Sequence, residues 1–114
     1  MKREKIVCLC RAKGGTLLTP GGAGHLRGRV ELKEPGEETG AHLAEGREEV
    51  LIVLEGTATV ELGRGRVRRV RVRPGHSLFI PEGTWHNVRN LSGRVLRYVY
   101  IRSLSAREGM LKKS

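Results

Sequence analysis

Four histidines, two cysteines and twelve glutamates carry most of the chemistry open to this 114-residue sequence. Two stretches space them in a way that calls for attention. In the first, five residues separate Gly36 from His42, Glu49 follows, and six residues separate Glu49 from Gly56. In the second, Gly75, Pro81, Gly83, His86 and Asn90 are separated by five, one, two and three residues. Two neutral imidazoles and one carboxylate, if brought together, make a first shell for a divalent transition metal, with positions left for water or substrate. Taken singly, each residue has a plainer role. His42 can be a surface residue beside a turn, Glu49 an ordinary charge before an apolar strand, and His86, next to Trp85, a hydrogen-bonded core histidine. Cys8 and Cys10 are the only cysteines. On a strand, residues two apart share a face with Cα atoms about 7 Å apart, which disfavours a disulfide between them. They read as reduced thiols in a first strand, and a C-x-C without further ligands is little of a zinc motif.

The elements that must position these residues are short strands. Glycine is abundant, at 16 residues, and Val/Ile/Leu runs lie between the glycines with no sustained 3.6-residue apolar period. Strands are predicted over 4–10, Arg29–Lys33, Gly40–Ala44, Glu49–Leu54, Thr57–Leu62, Arg66–Arg73, His76–Ile80, Trp85–Val88 and Gly93–Leu104. Turns are expected at Lys13-Gly14-Gly15, Glu34-Pro35-Gly36, Gly63-Arg64-Gly65, Pro74-Gly75 and Pro81-Glu82-Gly83, and a flexible loop at Pro20–Gly24. The uninterrupted apolar run Val50–Leu54 implies burial on both faces, the outer one beneath a second sheet or a second subunit. The length suits one domain over residues 1–114, all-β, as a sandwich, barrel or jelly roll.

The two spaced stretches together resemble the signature motifs of the cupin superfamily. The second matches at every defining position; the first departs at Ala44, where metal-binding cupins usually carry another histidine. Motifs and spacer span about half the chain. The resemblance implies a jelly-roll β-barrel, or double-stranded β-helix, with His42, Glu49 and His86 as ligands of one divalent metal, Fe, Mn or Zn. Strand alternation would put residue 44 on the same side as His42, so Ala44 leaves three ligands. Glu45 faces the other way unless a bulge intervenes, His25 sits in the glycine-rich loop and His76 falls near the barrel surface. The function so implied is that of a metal-dependent dioxygenase or isomerase acting on a small polar molecule. The alternative is a metal-free cupin serving as a ligand-binding or structural module. Arg97 is in phase with Val95, Val99 and Ile101 and would meet an anionic substrate if that face were interior. If Leu96, Tyr98 and Tyr100 point inward, Arg97 is a surface charge.

The formal charge of +10 arises from 16 Arg and 6 Lys against 12 Glu and no Asp, and it is unevenly spread. Eight glutamates fall between Glu31 and Glu55, whereas Arg64–Arg73 holds six arginines and no acid. Without interleaved aromatics, that basic stretch reads as an exposed hairpin with solvated arginines rather than a nucleic-acid surface. The two-sided apolar strand and the separated charges point to a homodimer. Five apolar residues after Lys5 are too few for a signal-peptide core, and Val50–Leu54 is too short to span a bilayer, so a cytoplasmic location is expected. Absence of Gln and scarcity of Asn fit a thermophilic origin.

Overall fold

Short alternating segments separated by glycine turns give two facing antiparallel sheets. In the computed structural model, which describes Leu9 and residues 14–18, 26–43 and 46–103, no helix is found among the described residues. Nine strands follow in order: β1 Gly15–Leu18, β2 Leu26–Lys33, β3 His42–Leu43, β4 Glu49–Glu55, β5 Ala58–Leu62, β6 Arg68–Val72, β7 Ser77–Ile80, β8 Trp85–Arg89 and β9 Leu96–Ser103. A five-stranded sheet has the order β1-β2-β9-β4-β7, and a four-stranded sheet the order β3-β8-β5-β6. Apart from the β1–β2 and β5–β6 pairs, sequence neighbours fall in opposite sheets, as in a jelly roll.

The register decides which side chains look inward. Across the five-stranded sheet, Leu51 pairs with Leu78 and Tyr100, and Val53 with Tyr98. Across the four-stranded sheet, Val60 pairs with Val70 and Val88, and Ala58 with Val72. Leu51, Val53, Ala58, Val60, Val72, Val88, Leu96 and Tyr98 meet between the sheets in one buried cluster. Burial of a Val- or Leu-sized side chain contributes about 1.5–3 kcal/mol, so this cluster is what holds the sheets face to face.

Turn chemistry fixes the rest. Gly56 has φ +78°, and a Cβ there would overlap the Val95 carbonyl and lie 3.0 Å from the Leu96 Cα, so only glycine fits between β4 and β5. Asn90 is fully buried, yet its amide donates to the Lys33 carbonyl at 3.0 Å and to the Arg94 carbonyl at 2.7 Å. Its side-chain oxygen accepts from the Ser92 backbone and hydroxyl at 3.1 and 2.7 Å. The last residue of the second spaced stretch is thus a structural clasp that ties the end of β2 to the β8–β9 turn.

Several expectations are adjusted. The strand expected at 4–10 lies outside the described residues except for Leu9, which belongs to no strand. The two cysteines, the Pro20–Gly24 loop, His25, Ala44 and Glu45 also lie outside them. Gly15, expected in a turn, opens β1 instead, paired in antiparallel register with Val30. Burial of β4 is one-sided within the chain: Leu51 and Val53 are buried, while Val50 and Ile52 on the outer face stay half-exposed. The arginines from Arg64 to Arg73 are all exposed; Arg69 pairs with Glu61 at 2.9 Å and Arg64 stacks over Trp85.

Candidate metal centre

Three strands deliver the three residues singled out by their spacing. In the register of β3 and β8, His42 stands opposite His86, with ring centroids 4.0 Å apart and planes at 63°. Glu49 opens β4 in the other sheet, and its inward phase is that of Leu51 and Val53. One potential ligand atom from each of His42, Glu49 and His86 lies within 4.8 Å of the others. Burial grades across the site, with His42 exposed at the mouth, Glu49 half-buried and His86 buried.

Both rings are held by the same device. Nδ1 of His42 is 3.0 Å from the Gly40 carbonyl, and Nδ1 of His86 is 3.0 Å from the Thr84 carbonyl. A carbonyl can only accept, so in the neutral form of each ring Nδ1 carries the proton and Nε2 is left with its lone pair. This is how backbone carbonyls orient imidazoles that ligate metals. His86 Nε2 lies 3.0 Å from Glu49 Oε2, yet it is a buried nitrogen with no hydrogen-bond partner. With the proton on Nδ1, Nε2 and Oε2 face each other as two acceptors, an arrangement that only a cation or a second ring proton relieves. Burial, the largest influence on His86, opposes its charged form; the Glu49 carboxylate and the Thr84 carbonyl together outweigh it and raise its pKa. A proton and a divalent ion therefore compete for one place. The donor set, two imidazole nitrogens and a carboxylate, fits a divalent transition metal.

Beside this cluster lies a cavity of about 300 Å³ between the sheets, whose walls include Glu31, Thr39, Val88, Tyr98, Tyr100 and Arg102. Glu31 is paired with Arg29 at 3.0 Å and Glu38 with Arg89 at 3.0 Å. Burial raises the pKa of both Tyr98 and Tyr100, so their hydroxyls remain protonated at neutral pH. A larger, open concavity of about 570 Å³ lies on the outside of the four-stranded sheet among Thr57, Thr59, Arg69 and Arg71. Its volume exceeds that of the inner cavity, but no group of ligating side chains borders it among the described residues.

The alternatives for Arg97 resolve toward the surface. Leu96 and Tyr98 of β9 join the core between the sheets, whereas Arg97, on the opposite face with the buried Val99, pairs with Glu55. His76 is exposed, with Nδ1 3.2 Å from the Pro74 carbonyl and outside the metal cluster. Sequence reasoning missed Arg102. It shares the inward phase of Tyr98 and Tyr100 and pairs in register with Glu49, and following that alternation two residues further would have found it.

The cupin domain family profile matches residues 29–102. No curated protein matches the chain. Among solved structures, a protein from Bacillus halodurans is 32% identical with a TM-score of 0.66, over 69% of this chain and 62% of that one. The chain thus spans less than two thirds of that protein. An uncharacterized conserved protein with a double-stranded β-helix domain from Klebsiella pneumoniae has a TM-score of 0.74 at 16% identity, covering 91% and 93% of the two chains. A predicted oxalate decarboxylase from Thermotoga maritima has a TM-score of 0.67 at 21% identity, covering 80% of this chain and 78% of its own.

Proposed function

The chain belongs to the cupin domain family, and from that premise we propose that it binds one divalent metal through His42, Glu49 and His86 and acts on a small polar molecule in the adjoining cavity. The observation that carries this reading is the buried His86 Nε2, held without a hydrogen-bond partner against the Glu49 carboxylate while Nδ1 is tied to the Thr84 carbonyl. Two side chains arranged in this way need a positive charge between them. Three protein ligands leave coordination positions for substrate, so a bound ion would supply Lewis-acid chemistry of the isomerase type or, as iron, oxygenase chemistry.

The chain's own residues do the rest. The Gly40 and Thr84 carbonyls fix the two ring orientations before any ion arrives. Tyr98 and Tyr100 line the cavity, where their hydroxyls would donate hydrogen bonds to a polar ligand. The apolar cluster behind them keeps water from the inner wall.

A second reading has a specific observation in its favour. The raised pKa of His86 lets a proton satisfy the Glu49–His86 pair without metal, as in a metal-free module that binds a ligand or serves as scaffold. Elemental analysis of protein purified without an affinity tag separates the two. We expect one Mn, Fe or Zn per chain, lost in His86→Ala. Metal content unchanged by His86→Ala, or absent from the native protein and not restored by added Mn²⁺, would exclude the metal centre.

A further inference from the structure

Two cations, Lys33 and Arg102, border the cavity beside the His42, Glu49 and His86 cluster, and of the two Arg102 alone also borders the small cleft at the cluster itself. Arg102 is half-buried on β9, directly across from Glu49 on β4. It borders both the 300 Å³ cavity and the small cleft formed by His42, Arg47, Glu49 and His86. Its guanidinium lies over the Tyr100 ring, 5.8 Å from the centroid, which holds the side chain along the cavity wall. Yet none of the ion pairs among the described residues includes it, although a cross-strand neighbour of Glu49 is well placed to form one. Glu49 is turned instead toward His86.

The remaining acids of the cavity are already engaged. Glu31 is held by Arg29 and Glu38 by Arg89. Once Glu49 serves the metal, the wall carries a partly desolvated guanidinium with no ion-pair partner among the described residues, bordering the same cleft as His42, Glu49 and His86. Such a group costs free energy unless an anion meets it, and its planar fork matches a carboxylate.

We propose that the cavity takes a small carboxylate, and that Arg102 is the residue that binds its carboxylate group. This deepens the proposed function and rests on it for the placing of the ligand beside the metal, but the anion site itself is built of Arg102, Tyr100 and the cavity. Arg102 is a binding and specificity residue: it selects carboxylic acids over neutral amides and sugars of the same size.

The test uses oxalate and pyruvate, with oxamide as a neutral counterpart, titrated calorimetrically into the full chain with and without Mn²⁺. Four proteins are compared: wild type, Arg102→Leu, Arg102→Lys and Arg71→Leu. The last removes the same charge from the exposed outer face of β6. Expected is carboxylate binding that weakens roughly 10- to 100-fold in Arg102→Leu, the range for losing a charge-assisted pair. Arg102→Lys, which keeps the charge but loses the fork, should weaken it less, and Arg71→Leu should bind as wild type. Should Arg102→Leu fail to fold, the Arg102→Lys comparison carries the test.

Equal binding by wild type and the Arg102 variants, equal loss in Arg71→Leu, equal affinity for oxamide, or no carboxylate binding at all overturns the proposal. Mn²⁺ titration keeps the two readings apart. Carboxylate binding that depends on Arg102 in a protein that takes no Mn²⁺ removes the metal centre and leaves the anion site. Mn²⁺ binding without any carboxylate response does the reverse.

Discussion

Glu49→Gln, measured in metal-free protein, should change the sign of its effect with pH. In the native chain His86 Nε2 and Glu49 Oε2 are 3.0 Å apart, with side chains 2% and 13% exposed. When His86 carries both ring protons, the contact is a buried charge-assisted hydrogen bond, for which about 2 kcal/mol is a reasonable contribution. The folded-state pKa of His86 is raised above its ordinary value. The pair's contribution is therefore fully present below the unfolded imidazole value, near pH 6.5, and is lost as pH rises through the folded one. Above that, Nε2 and Oε2 are two acceptors in contact, and the amide introduced by Glu49→Gln would relieve them by donating to Nε2. Urea denaturation in chelator at pH 6 should find the variant about 2 kcal/mol less stable than wild type. At pH 9 it should be equal or more stable. A destabilisation of the same size at both pH values would show that Glu49 acts through packing alone, and the proton-for-metal account of the site would fall with it.

Three further outcomes are expected. Mn²⁺ affinity should drop as pH falls through the raised pKa of His86, because ion and proton compete for Nε2; a flat profile from pH 8 to pH 5.5 would place the ion elsewhere. Gly56→Ala should lose about 3 kcal/mol, combining a left-handed backbone penalty of roughly 1–2 kcal/mol with the overlap against the Val95 carbonyl, and a urea midpoint within error of wild type would contradict the close approach. Phe79, 55% exposed on the outer face of β7, adjoins Val50 and Ile101 in an apolar row across the five-stranded sheet; if the chain is a homodimer through that face, Phe79→Glu should give a monomer by light scattering, whereas a dimer in both proteins would put the contact on another surface.

How far the sequence could be read depended on how local each signal was. Turns announced themselves through Gly and Pro: Gly36, Gly56, Gly75 and Gly83 all have positive φ, as their spacing between apolar runs required. Strands β4 to β8 followed within one or two residues, because alternation is encoded within each segment. β1 was not legible, since Gly15-Thr16-Leu17-Leu18 is too short for any period and its strand character comes from pairing with β2. β9 was legible in extent but not in phase. Val95, Val99 and Ile101 are as apolar as Leu96, Tyr98 and Tyr100, so only the sheet behind the strand decides which set turns inward. That one ambiguity hid Arg102 as a pocket residue, for it exchanges Arg97 on the outside for Arg102 within.

The histidines show what spacing can and cannot say. His42, His76 and His86 all direct Nδ1 at the carbonyl two residues back, those of Gly40, Pro74 and Thr84. A ring following a turn makes this contact for local reasons, so a fixed tautomer is no mark of a metal ligand by itself. His76 has it on an exposed corner, where its other nitrogen meets water. What distinguishes the other two is convergence. The β3–β8 pairing sets His42 against His86, and the packing of the two sheets brings Glu49 from β4 onto the same point. Local turn geometry thus prepares each donor, but only the register between strands far apart in sequence makes three donors a site. Register is also why His86→Ala and Glu49→Gln should each disturb metal binding, while an equal change at His76 should leave it untouched.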